Sequence, residues 1–366
     1  MKAVGLALIA ITLFVLAGPA AAQIAGERHF VAQEASAAVR DARHSSDLRI
    51  TVWYPAAATA TATPIDIGPP GHPLFRVGET AADAPFAPDA PGQRRPVILL
   101  SHGFGGTARM MGWFAIPLAQ HGFVVISVDH PGNNGRDPMT VPGAILWWER
   151  AEDLKLALRI VGKDAVLGPH LDPARVGAAG FSAGGFTALV LGGARPDPER
   201  FMAYCGRNPQ DGLCRPQVEF TVTGADRNQA LKVPAAAASE ARAGHDHSLA
   251  SVKAVFAMAP GLVQGISPRS LAAIRRPVWI VAGDADVVAA PATNAQAVAR
   301  LVPGSRLDLV HGAGHYAFLS TCTPAGLAEV PLCKLAGPQD EAHRLALSRA
   351  EALFSATLSD PRPHIR

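Results

Sequence analysis

The stretch Arg175–Gly193, RVGAAGFSAGGFTALVLGG, sets a single serine, Ser182, between two apolar runs, with Gly180 and Gly184 flanking it at G-x-S-x-G spacing. In a chain with 35 glycines roughly 0.2 such matches are expected by chance, so the motif by itself is moderate evidence and its neighbours decide its meaning. Before the serine, Arg175–Phe181 is a short continuous apolar run, the mark of a strand buried on both faces of a parallel sheet. After it, Phe186–Leu191 reads as helix. Strand, sharp turn and helix are the setting a nucleophile elbow requires. Glycines at 180 and 184 let the strand turn abruptly and hold Ser182 in a strained backbone, and the helix N-terminus beneath it favours developing negative charge. A dinucleotide-binding turn is the rival reading, but the G-x-G-x-x-G spacing and its following acidic residue do not occur here. The other rival is glycine-rich close packing of strand and helix around an incidental serine.

The pattern around this stretch repeats. Buried-strand runs are expected at Pro96–His102, Phe123–His130, Ser251–Pro260, Arg276–Gly283 and Ser305–Gly312, with helices at Met110–His121, Ile145–Val161, Pro268–Arg275, Pro291–Leu301 and Gln339–Leu358. Pro291 suits the first turn of its helix, where a missing N–H costs nothing. Strands alternating with helices imply an α/β protein with a doubly wound, mostly parallel sheet and helices on both faces. Asp47–Ala57 reads as an early strand. Ala56–Arg95, rich in Ala, Thr, Pro and Gly, reads as a long surface connection with little regular structure. Residues 195–249 break the rhythm and are expected to form an insertion, or cap, over the catalytic edge of a single domain spanning residues 23–366.

A serine hydroxyl needs a base. Of 13 histidines, His311 and His315 follow the last strand run, and His315 is preferred because Gly312 and Gly314 let its loop curl back over the sheet's edge. His311 is expected to be a strand-end residue with a structural hydrogen bond. The imidazole needs a carboxylate to fix its tautomer. Asp286, deeper in the turn after Arg276–Gly283, is preferred over Asp284, which is expected to cap that turn. The chain order Ser182, Asp286, His315 is that of α/β hydrolases and not of the chymotrypsin or subtilisin arrangements. Oxyanion donors are expected from the Ala183 N–H and from the glycine-rich loop Leu99–Ala108, with the Phe104 N–H as candidate. His102 reads as a structural histidine of that loop. Ser101 lacks the elbow's flanking pattern.

Composition narrows the class. The chain has 366 residues, 49% hydrophobic and 17% charged, with a formal net charge of +3 and no Lys/Arg run of the kind that neutralises phosphates, so nucleic acid is excluded as a partner. Residues 1–22 read as a cleaved secretory signal: Lys2, an apolar core Val4–Leu16, a Gly18-Pro19 break and an Ala20-x-Ala22 site. No later segment is apolar enough to span a membrane. Four cysteines form two close pairs, Cys205 with Cys214 and Cys322 with Cys333, and export to a secreted or periplasmic location favours local disulfides over zinc. His245 and His247 are expected to face solvent and Trp147 and Trp148 to pack in the core, while Val128–Pro138, which follows a strand on the catalytic edge, reads equally as lining the substrate site or as a plain turn cluster. No metal site is expected.

Together, SHGFGG, DHPGNN, GFSAGG, GDADVV and GAGHYAFL resemble, in order and spacing, the motifs of the α/β-hydrolase superfamily across Asp47–Leu319. More narrowly they are similar to bacterial dienelactone-hydrolase-like proteins related to platelet-activating-factor acetylhydrolase. The resemblance implies an α/β-hydrolase fold and a serine esterase without cofactor. It places the nucleophile at Ser182, the acid at Asp286, the base at His315, and the oxyanion donors at Phe104 and Ala183. Dienelactone hydrolases carry cysteine in the elbow, and serine here points to ordinary ester hydrolysis. The expected protein is a monomer acting on a small-molecule or lipid-like ester. The alternatives are the same triad acting on amide, thioester or polyester bonds, and a catalytically silent binding protein on this fold.

Overall fold

The computed structural model describes residues 23–89 and 92–359; the segment read as an export signal, residues 1–22, lies outside them. Its strands are β1 (Ile24–Gln33), β2 (Asp47–Ala56), β3 (Thr63–Ile67), β4 (Phe75–Ala82), β5 (Arg95–Ser101), β6 (Val124–Asp129), β7 (Leu171–Phe181), β8 (Val252–Met258), β9 (Val278–Gly283), β10 (Arg306–Val310) and β11 (Thr321–Cys322). They form a mixed sheet in the order β10-β9-β8-β7-β5-β6-β2-β1-β4-β11, with β3 on β4. The stretch from β10 to β6 is parallel throughout. β2 then pairs antiparallel with β6 and β1 antiparallel with β2.

The parallel strands take their places because their sequences suit burial on both faces. Val97, Ile98, Leu99 and Leu100 of β5, and Val255, Phe256, Ala257 and Met258 of β8, are wholly buried. Their β-branched and aromatic side chains fit the pleat, and helices cover both faces. Gly112–Gln120 and Gln339–Thr357 pack against one another and the sheet, as do Glu149–Val161 and Ala183–Leu191. This is the α/β-hydrolase fold. At the far edge, β10 is protected by charge: Arg306 and Arg349 stack over Trp279, and Arg349 also reaches Asp308.

The strands depart from expectation mainly at the N-terminal side. Ala56–Arg95 is not a bare connection, because β3 and β4 lie within it and β11 adds to β4. Their short runs carry turn residues between them, and pairing supplies the order that composition hides. β1, which the sequence pattern did not reveal, holds Glu27 in the core. There Trp53, Thr80, His29 and Arg109 surround its carboxylate. Burial alone would raise its pKa, and His29 and Arg109 instead hold it below the usual range.

The stretch Ile145–Val161 is not one helix; it divides into Val141–Ile145 and Glu149–Val161. Pro291 does not open a helix. Residues 291–294 form a turn in which Asn294 bonds back to the Ala290 carbonyl, and the helix begins at Ala295. His247 is another correction. It is buried, 2.8 Å from Glu152 and 3.0 Å from the Arg242 carbonyl, while His245 is exposed.

Candidate active site

The chain leaves β5 to one side to form β6, then crosses to the other side to form β7. That reversal opens a crevice at the carboxyl ends of β5 and β7, where open α/β sheets bind ligands. The loop after β5 and the turn after β7 meet there. Gly180 and Gly184 are required by this approach: a Cβ on Gly180 would strike the backbone of Gly184, and one on Gly184 the carbonyl of Ser101. Ser182 takes φ 56°, ψ −117° at the head of the helix Ala183–Leu191. A side chain in that region is strained, and the strain is held by bonds on both sides. The Ser182 N–H donates to the Met258 carbonyl at 2.9 Å, and the Gly261 N–H donates to the Ser182 carbonyl at 3.1 Å.

The structure brings Ser182, His315 and Asp286 into one chain of hydrogen bonds. Ser182 Oγ lies 2.8 Å from His315 Nε2, and His315 Nδ1 lies 2.6 Å from Asp286 Oδ2. The other carboxylate oxygen, Oδ1, accepts from the backbone N–H groups of Val288 (2.9 Å) and Ala289 (2.8 Å). All three side chains are buried. The histidine loop is braced from behind: the Gly314 N–H donates to the Ala336 carbonyl at 3.0 Å, and Phe181 packs 5.0 Å from the imidazole. Ala336 follows directly on the loop closed by the Cys322–Cys333 disulfide, its N–H bonded to the Cys333 carbonyl. Asp284 and His311 pair instead with each other, 2.9 Å apart at the surface, and Asp284 also accepts from the Gly312 N–H at 2.7 Å.

The loop after β5 is shaped from within. The Gly106 N–H donates to the Gly103 carbonyl, and the Gly105 N–H donates to Asn133 Oδ1 at 2.9 Å. Among the described residues no hydrogen bond takes up the Phe104 N–H or the Ala183 N–H. The segment Val128–Pro138 does not line the cavity; through Asn133 it supports the loop that does. His102 is buried, with Nδ1 2.7 Å from the Gly103 carbonyl, and burial pushes its pKa well below the ordinary value, aided by Arg150 and His130.

A cavity of about 500 Å³ opens in front of Ser182. Phe104, Met110, Ile145, Trp147, Phe201 and Leu213 give it an apolar wall. Trp147 thus borders the cavity, stacked edge-on against Phe201, while Trp148 is fully buried and donates to Ser239. Tyr316 and Glu219, which the sequence pattern did not single out, also line it and are joined by a 3.0 Å hydrogen bond. Burial and the Glu219 carboxylate both raise the Tyr316 phenol far above its ordinary range, so it stays a neutral donor.

The Cys205–Cys214 disulfide lies in the same wall. The loop it closes presses Gly212 onto the carbonyls of Val287 and Val288, directly beside Asp286. Asp211 ties the same loop to Tyr204 and Thr293. Replacing both cysteines by serine is expected to destabilise the protein by about 2–3 kcal/mol, from a loop of this size. It should raise KM more than it lowers kcat, because the wall loosens while the bonds among Ser182, His315 and Asp286 remain. Thermal melts and hydrolysis kinetics on the double variant check this.

Residues 97–330 match a family model described as the alpha/beta hydrolase family. The chain is an alpha/beta hydrolase. No curated protein matches its sequence. Among solved structures, the hydrolase is similar to a ferulic acid esterase from Streptomyces cinnamoneus, at 19% identity and a TM-score of 0.61, covering 95% of this chain and 94% of that one. It is also similar to a puromycin-hydrolyzing peptidase from Mycobacterium tuberculosis, at 13% identity and a TM-score of 0.50, covering 92% of this chain and 40% of that one. At these identities the likeness is one of fold. Among the described residues no helix is long and apolar enough to cross a membrane. Two disulfides fit a protein of an oxidising compartment.

Proposed function

We propose that the hydrolase cleaves carboxylic esters through an acyl-enzyme on Ser182. The observation that carries this reading is the bonded chain Ser182–His315–Asp286 facing an apolar cavity. In this mechanism His315 Nε2 takes the Ser182 proton as Oγ bonds to the ester carbonyl carbon. Asp286 stabilises the imidazolium. The N–H groups of Phe104 and Ala183 receive the oxyanion. Collapse of the tetrahedral species breaks the C–O bond, and His315 returns its proton to the leaving alkoxide. Water, activated by the same imidazole, then releases the acid and regenerates Ser182.

An apolar wall of this size suits a bulky acyl or aryl group. The name of the similar Streptomyces protein, an esterase, is in keeping with an ester substrate. The serine in the elbow favours ordinary ester hydrolysis within a dienelactone-hydrolase-like, acetylhydrolase-related branch. The reading extends to a secreted or periplasmic protein with residues 195–249 as the cap that shapes the pocket. A fluorophosphonate probe tests it: the wild-type protein should be labelled, with the adduct on the Ser182 peptide, and p-nitrophenyl esters should turn over faster than the corresponding anilides. No adduct, or one on another residue, would overturn the reading, and faster anilide cleavage would replace ester with amide.

A further inference from the structure

Behind the oxyanion loop lies a second serine–histidine–carboxylate chain. Ser101 Oγ is 2.9 Å from His130 Nε2, and His130 Nδ1 is 2.8 Å from Asp153 Oδ2. All three side chains are fully buried and none lines the cavity, so no substrate reaches them. Arg40 closes the chain with two bonds to Asp153, at 2.9 and 2.7 Å. Burial keeps His130 far below its ordinary pKa, with Arg150 and Arg40 acting the same way, so the imidazole is a neutral link.

Arg150 is the group that local stability does not explain. Its guanidinium is fully buried, yet it donates only to uncharged oxygens: Ser101 Oγ at 3.2 Å, Thr187 Oγ1 at 3.3 Å, and the His102 carbonyl. Among the described residues it forms no ion pair, and its Nη1 has no hydrogen-bond partner. Burial pulls its pKa down to about 9, opposed by the charge of Asp153. A buried cation without a paired carboxylate is costly, and such groups are retained where they serve a site.

Its contacts say which site. His102 opens the loop that carries the Phe104 N–H. Thr187 in turn donates to the Ala183 carbonyl at 2.9 Å, in the first turn of the nucleophile's helix. Ser101 ends β5, whose last carbonyl abuts Gly184. One side chain is therefore tied to both segments that hold the proposed oxyanion donors.

We propose that Arg150 is the positioning residue of the oxyanion hole, clamping the loop after β5 and the head of the Ala183–Leu191 helix in one register with an unpaired buried charge between them. This rests on the ester reading above. Donors aimed in advance stabilise the oxyanion without reorganising, and a misplacement of about 1 Å costs about a hundredfold in rate. A positive charge in a low-dielectric interior also acts on negative charge that forms nearby.

The test is Arg150→Met beside Arg150→Lys and Thr187→Val, read by kcat and KM for a p-nitrophenyl ester and by Ki for a trifluoromethyl ketone, which forms an oxyanion adduct on serine. Arg150→Met is expected to melt at or above the wild-type temperature, because a costly buried charge is gone, and to lose about a hundredfold in kcat with KM changed by less than about twofold. The Ki of the ketone should rise by the same factor. Arg150→Lys should recover part of the loss, and Thr187→Val, which removes both the bond from Arg150 Nε and the bond to the Ala183 carbonyl but leaves the bonds to Ser101 and His102, should lose about tenfold. A folded Arg150→Met with near-wild-type kcat and Ki, or a loss carried wholly by KM, overturns the proposal. If Arg150→Met does not fold, Thr187→Val decides, and unchanged kcat and Ki there overturn it. A wild-type enzyme that hydrolyses no ester overturns the ester reading instead.

Discussion

Ser182→Ala is expected to lower kcat for ester hydrolysis by about six orders of magnitude while leaving the fold and ground-state binding in place. Among the described residues the hydroxyl is the only group in the cavity bonded to His315 Nε2, at 2.8 Å, so its removal should end the proposed acyl-enzyme formation outright. What remains, roughly a thousandfold over water, comes from the oxyanion donors and from holding the ester beside them. Stability should barely move. Alanine carries a Cβ as serine does, so the strain at φ 56° persists, and the backbone bonds to Met258 and Gly261 do not involve the side chain. The lost bond leaves His315 Nε2 at the edge of the cavity, where water can take its place. The check is kcat with a p-nitrophenyl ester and the melting temperature of the same preparation. A loss under about tenfold would mean that hydrolysis runs through another group.

The residues of this site were legible in the sequence to different depths, for physical reasons. The parallel strands announce themselves because burial on both faces forces continuous apolar runs, as in Val97–Leu100. Ser182 stands out because an abrupt strand-to-helix turn admits no Cβ at 180 or 184. His315 and Asp286 follow from chain order and from glycines that let loops reach the edge. The strands β1, β3 and β4 carry no such signature: they are short, partly exposed, or interrupted by charged residues, as at Glu27. Arg150 sits in a helix that the sequence marks only by its extent, and it is buried because the neighbouring helix and β5 close over it. Glu219 and Tyr316 meet across 97 residues of chain, a contact that no local pattern encodes. Short-range constraints on backbone leave marks in sequence. Long-range pairing of ordinary residues leaves none.

Asp286→Asn is expected to fold as wild type and to lose about ten-thousandfold in kcat with little change in KM. The geometry fixes which way the new amide must lie. Oδ1 of Asp286 accepts two backbone N–H groups, from Val288 and Ala289, and only an oxygen satisfies them. An asparagine must therefore keep its carbonyl there and turn its NH2 toward His315 Nδ1. That nitrogen, which donates to the carboxylate in the proposed triad, can then only accept, so the ring proton moves to Nε2. A proton on Nε2 faces Ser182 Oγ and cannot be exchanged for the one the base must remove. The loss is thus one of tautomer and charge, not of position. Asp284→Asn supplies the contrast, since Asp284 is exposed and among the described residues bonds only His311 and the Gly312 N–H; its kcat should stay within about twofold of wild type. Equal losses at 284 and 286, or an Asp286→Asn enzyme within tenfold of wild type, would show that this carboxylate does not set the tautomer of the base.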